Sequence, residues 1–191
     1  METLNVLLER RSIRKYRAVP VPDEILEEIV RAGLYAPSGL NLQPWYFAVA
    51  RTAESMQLVR ASMAVVALRF SPVLQQRFRE HPEVIEETQN FLVTLGGAPA
   101  CILVFAHKKD QGARDNVLES TAAAIQNMQL AAWNRGVGAC WIAAPKYVDC
   151  SGLFEAAFGA SHGEFIAAVT LGYPAEDPKP HKRREGRWTF L

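Results

Sequence analysis

Residues 98–106 form the longest uncharged apolar run of the chain, nine residues in all. A membrane-spanning helix needs ~20, so the run belongs to a folded core. Its last six residues, CILVFA at 101–106, read as a buried strand. Three more segments have strand character: WYFAVA at 45–50, residues 139–143, and FIAAVTL at 165–171. Helical segments of unequal length separate them. This alternation points to an α/β layered fold, and periodicity leaves parallel and antiparallel pairing both open.

The helices announce themselves in different ways. Residues 2–9 read as a short helix. A second runs from about Pro22 to Gly33, with Ile25, Leu26, Ile29, Val30 and Leu34 on one face. Asp23, Glu24, Glu27 and Glu28 place acid in its first turns, where the helix dipole favours it. Residues 53–68 are helical in character but weakly patterned. A charged, helical stretch follows over 71–95, interrupted by Pro82, and Gly96-Gly97 then breaks the chain. Residues 115–135, rich in Ala, Gln, Leu and Met, form the clearest helix, closed by Gly136. A short helix is expected over 150–158. The tail from 172 to 191 is Pro-rich and basic.

Composition excludes several classes. At 191 residues the chain is expected to form one domain, residues 1–191. Such a domain buries roughly 70% of its unfolded surface and needs no disulfide or metal. Hydrophobic residues are 49% and charged residues 21%, which excludes disorder. A net charge of +1 gives no footprint for nucleic acid. The apolar stretch in METLNVLLERR is too short for a signal peptide, and its charges follow it. Cys101, Cys140 and Cys150 form no C-x-x-C and read as buried, reduced thiols. A cytoplasmic protein without membrane or nucleic-acid partners is expected. No dinucleotide fingerprint, Walker A, zinc-protease or nucleophile-elbow motif occurs. His81, His107, His162 and His181 are scattered and read as surface residues; no metal site is expected.

Four segments carry chemistry. In ERRSIRKY (9–16), Arg10, Arg11, Arg14 and Lys15 surround Ser12. Guanidinium groups offer bidentate donors suited to phosphate, and Ser12 adds a hydroxyl; the alternative is a solvated basic turn. In APSGLNLQPW (36–45), Ser38, Asn41 and Gln43 alternate with small or apolar residues. Their side chains suit the polar edge of a planar heterocycle, or simply a turn entering a strand. In GVGACWIAA (136–144), small residues permit close backbone approach. Trp141 there is either an aromatic wall or core. In LGYPAEDPKPHKRR (171–184), Lys182 and Arg184 reach an anion or stay in solvent.

Together these four segments, in this order, resemble the nitroreductase family of flavin enzymes. The resemblance spans nearly the whole chain. It is firmest in RRSIRKY, APSGLNLQPW, QNMQLAAWNRGVGACWI (126–142) and LGYP with its basic sequel. It implies an α+β fold of three layers, α/β/α, with a central, mainly antiparallel sheet. It also implies a domain-swapped homodimer with two tightly bound FMN cofactors at the interface. The helix near 115–135 would form the dimer core and the C-terminal tail would wrap the partner. The apolar end, Trp188, Phe190 and Leu191, fits that picture.

Residue by residue, Arg10, Arg11, Ser12 and Arg14 match the family's first flavin motif, at the ribityl phosphate and isoalloxazine. Pro37, Ser38, Gly39 and Asn41 match the loop that reaches the partner's flavin, with Gln43 in the same motif. Trp141, Ile142 and Ala143 match the strand lining one flavin face. Lys182 and Arg184 match the basic residues at the phosphate. The implied activity is NAD(P)H oxidation through the flavin, with hydride passed to N5 and then to a small-molecule acceptor such as a nitroaromatic or quinone. Ping-pong kinetics follow, and no side chain need be a catalytic acid or base. Alternatives on the same scaffold are reductive dehalogenation, flavin fragmentation, or a non-catalytic flavin-binding module. The chain departs from many members at Gly39, Ala143 and Ala144, which bears on substrate preference and flavin potential. Residues from about 54 to 97 carry none of the motifs that make the resemblance; family members differ most there, and that region usually covers the substrate side of the flavin.

Overall fold

The strand β2 (Ala100–Ala106) is buried at every position, so both faces of its sheet must be covered. A computed structural model of the chain, describing residues 3–107, 114–180 and 182–191, shows how. The sheet has four strands: β1 (Trp45–Ala50), β2, β3 (Gly138–Ile142) and β4 (Glu164–Gly172). Their order is β1-β2-β4-β3, and all three pairings are antiparallel. This settles the question that periodicity left open: the fold is α+β.

Among the described residues seven α-helices accompany the strands: α1 (Thr3–Glu9), α2 (Asp23–Leu34), α3 (Ala53–Arg77), α4 (Pro82–Thr94), α5 (Arg114–Asn134), α6 (Ala144–Tyr147) and α7 (Ser151–Phe158). Strand side chains alternate between faces. Cys101, Leu103 and Phe105 of β2 meet Met63 and Val66 of α3, Phe91 of α4 and Phe154 of α7. Ile102 and Val104 meet Leu26 and Ile29 of α2 and Ile125 and Met128 of α5. The result is three layers, α/β/α, with a core on each side of the sheet. One bulge adjusts the alternation: Phe105 pairs with Phe165 but Val104 pairs with Ala167, leaving Ile166 as the extra residue. Phe165 thereby stays on the first face, stacked on Phe154 with ring centroids 4.4 Å apart.

The elements differ from expectation at three places. Helix α3 does not end near 68 but continues through Pro72 to Arg77. The amide that Pro72 lacks would have bonded to Leu68, and both residues are exposed, so water can satisfy the freed carbonyl. Pro82 does not interrupt a helix; it sits in the first turn of α4, where its missing N–H costs nothing. The segment after β3 folds into α6, a single turn that starts at Ala144. Of the helix expected over 2–9, Glu2 lies outside the described residues, as does His181. Among the described residues α3 alone is long and apolar enough to cross a membrane, yet Met56, Val59, Met63 and Val66 pack it onto the sheet.

Candidate functional site

The basic segment is laid along β3 by its backbone. Ile13 N–H donates to the Ala139 carbonyl at 3.0 Å, and Ser12 forms a parallel bridge with Ala139. Gly138 makes this approach possible, because a Cβ there would stand 2.6 Å from Ile13 Cγ1. Tyr16 anchors the segment from below: its hydroxyl donates to the Ile13 carbonyl and meets the Thr170 hydroxyl at 2.8 Å. Its N–H donates to the Gly96 carbonyl at 2.9 Å. Gly96 has φ +63°, and a Cβ there would run into the Arg14 carbonyl. The Gly96-Gly97 break therefore seats the basic segment as well as ending α4.

Above this floor lies a cavity of about 890 Å³, at the upper end of the volumes typical of cofactor sites. Ser12, Arg14 and Lys15 contribute to one side. Trp141, Ile142, Ala143 and Ala144 form the wall where β3 turns into α6. Phe70, Phe78, Glu87, Thr88 and Phe91 add to the lining. The stretch 54–97, which carries none of the quoted motifs, thus contributes to the lining of the site. Glu176 and Pro178 of the tail complete the lining.

Positive charge also gathers around Arg10, which is not part of the cavity lining. Arg10 is half-buried, and burial first, then Arg11 and Arg183, hold its guanidinium below the ordinary arginine pKa. Among the described residues no carboxylate forms an ion pair with Arg10 or Arg183. A desolvated cation facing two like charges favours an anion in its midst. The cysteines run the other way. Burial pushes the Cys101 thiol up to about 12 and also raises that of Cys140, so neither is a ready thiolate.

The residues expected at the site divide into groups. Ser12, Arg14, Trp141, Ile142 and Ala143 line the cavity together, although Ala143 lies just past the strand. Arg11 turns back instead, donating to the Leu8 and Arg10 carbonyls at 2.7 and 2.9 Å. Lys182 and Arg184 are exposed; the tail cation felt by Arg10 is Arg183, between them. Pro37, Ser38, Gly39, Asn41 and Gln43 do not line the cavity of their own chain. Their loop packs on α5 instead, where Gly39 N–H donates to Ser120 Oγ at 3.2 Å. Leu40, Asn41 and Gln43 all have positive φ, which for side-chain-bearing residues marks stored strain. Ser38 Oγ, accepting from Gln43 N–H at 3.0 Å, and Asn41 Oδ1, accepting from Gln43 Nε2 at 3.0 Å, hold that shape.

Fold and cavity together define an α+β protein with a wide candidate ligand site beside its antiparallel sheet. The chain belongs to the Nitroreductase family, which it matches over residues 7–173. It is 33% identical over 189 residues to YfhC of Bacillus subtilis (strain 168), whose name describes an NAD(P)H nitroreductase; the match covers 97% of this chain and 91% of YfhC. Two solved structures are similar throughout. One is a nitroreductase-like protein from Desulfovibrio desulfuricans in complex with FMN, 28% identical, with a TM-score of 0.73 and coverage of 100% and 99% of the two chains. The other is a nitroreductase with bound FMN from Desulfitobacterium hafniense DCB-2, 25% identical, with a TM-score of 0.78 and coverage of 100% and 98%.

Proposed function

We propose that the chain is an FMN-dependent NAD(P)H oxidoreductase, acting on nitroaromatic, quinone or similar planar acceptors. The observation that carries this reading is the cationic cluster of Arg10, Arg11 and Arg183, which has no ion pair among the described residues, on the same segment as Ser12 and Arg14 of the cavity lining. These residues suit a phosphate ester at one end and a ring system along the cavity. FMN held there supplies two-electron transfer between a nicotinamide donor and the acceptor. Arg10 and Arg183 bind the phosphate, and Ser12 adds a hydroxyl donor. Arg14 and Lys15 bring positive charge to the cavity, which favours a reduced, anionic occupant. Ala143 and Ala144 lack bulk and leave room along one wall, while Phe70, Phe78 and Phe91 offer apolar ring faces to planar guests. With one cavity for donor and acceptor in turn, initial rates should give parallel double-reciprocal lines. A homodimer in the cytoplasm belongs to the same proposal.

The test is the visible spectrum of the purified protein with FMN, before and after anaerobic addition of NADH and then NADPH. Bleaching of the bound flavin by either nucleotide is expected. In Arg10→Ala, FMN affinity should fall by about ten- to a hundredfold, the worth of a hydrogen bond between charged groups. A colourless protein that also refuses added FMN overturns the reading. Flavin that binds but bleaches with neither nucleotide favours a non-catalytic binding module.

A further inference from the structure

A tail carboxylate grips the backbone of the basic segment. Glu176 Oε1 accepts the N–H of Arg14 in a short hydrogen bond and the N–H of Lys15 at 3.2 Å. The rest of the strap is backbone pairing. Ala175 N–H donates to the Lys15 carbonyl and Arg17 N–H to the Tyr173 carbonyl, both at 2.9 Å, and Tyr16 bridges Pro174. Arg17 Nε adds a bond to the Pro174 carbonyl at 3.1 Å. On the other side of the segment, Gly96 closes against the Arg14 carbonyl. The peptide units on both sides of Arg14 are thus held from two directions, while its side chain stays exposed and lines the cavity. The Glu176 carboxylate lines the same cavity, so its charge counts there as well.

We infer that Glu176 is a positioning residue for the flavin site. Its carboxylate fixes the Arg14–Lys15 backbone so that Arg14 enters the cavity in one direction, and its negative charge tempers the positive field of the basic segment. The inference rests on the FMN reading above. Two substitutions separate the two effects. Glu176→Gln keeps the one oxygen that accepts from both amides and removes the charge; Glu176→Ala removes both. Hydrogen exchange at the Arg14 and Lys15 amides reads the clamp without flavin. The FMN dissociation constant and the midpoint potential of the bound flavin read its consequence.

In Glu176→Ala, amide protection at 14 and 15 should collapse and FMN binding should weaken by about tenfold or more, as for loss of a charge-assisted bond. In Glu176→Gln, binding should stay within about threefold of wild type, with the potential shifted to a more positive value. Unchanged protection and unchanged FMN affinity in Glu176→Ala overturn the inference. So does lost protection with affinity and potential both unchanged, because the clamp is then structural only. If the alanine variant does not fold, a glutamine variant with wild-type protection and wild-type potential overturns it equally. FMN titration of the unsubstituted chain tells the two failures apart: no uptake there fails the parent reading, whereas uptake that is unaffected in Glu176→Ala fails the inference alone.

Discussion

Tyr16 shapes the site from beneath. It is buried, and burial first pushes its phenol well above the ordinary tyrosine pKa. It therefore stays neutral and keeps a proton to donate to the Ile13 carbonyl. Removing that hydroxyl strands a carbonyl under the basic segment, while Thr170 keeps the Cys140 carbonyl at 3.4 Å as an alternative partner. Tyr16→Phe should thus cost about 1–2 kcal/mol of stability, read as a lower urea midpoint at unchanged m-value, and should loosen FMN binding as Ser12 and Arg14 lose their footing. The residues legible in sequence were those whose chemistry is local. Arg10, Ser12 and Arg14 stand within five positions of one another, and their donor chemistry needs no partner to be noticed. Tyr16 and Glu176 act through partners 154 and 162 positions away, and such separations leave no pattern. Arg183 was hidden differently: three basic residues run together, and only the fold decides which one lies near Arg10.

At the scale of elements, one carboxylate ties three of them together. Glu164 at the start of β4 takes a bidentate bond from Arg114 of α5, both distances 2.8 Å, and stands 3.6 Å from Lys146 of α6. The Arg114 hydrogen bonds, ahead of any other cause, hold its carboxyl below the usual glutamate range. A carboxyl depressed in the folded state stabilises above its unfolded value, about 4.3. That contribution is lost as pH falls through the lower folded value. Glu164→Gln should therefore melt at a lower temperature than wild type at neutral pH. The gap should close under strongly acidic conditions in a pH series of thermal melts. A gap that persists there would assign the role of Glu164 to packing instead of charge. Elements with strong local signals were legible: the four strands by their apolar runs, α2 by its one-sided face, α5 by its wealth of Ala, Gln, Leu and Met and its closing glycine. Helix α6 was not, because one turn carries no periodicity and Pro145 reads as a breaker until its place in the first turn is known. The run of α3 past Pro72 was missed for a related reason: whether a proline breaks a helix depends on what its freed carbonyl faces.

At the scale of the whole molecule, the single chain leaves apolar surface and a strained loop without a purpose of their own. Trp188 and Phe190 are 76% and 89% exposed, and Leu40, at the tip of the strained loop, is 89% exposed. In the proposed homodimer a partner subunit would cover them. Asn41 sits on that loop, outside the cavity of its own chain, while Arg10 belongs to the cationic cluster at the other motif. The proposed homodimer joins the two across subunits, and two-fold symmetry gives it two identical composite sites. Complementation follows from that geometry. Arg10→Ala and Asn41→Ala should each weaken FMN binding as pure homodimers. In a mixed dimer the two substitutions fall in the same site, and the other site is wild type. Subunits unfolded together and refolded at equal ratio should thus regain tight binding at about a quarter of all sites. Titration of the mixture with FMN, monitored by fluorescence quenching, reads that fraction directly. A mixture that binds no better than its two components would place both residues in the service of one chain's site, and the strained loop would then need another explanation.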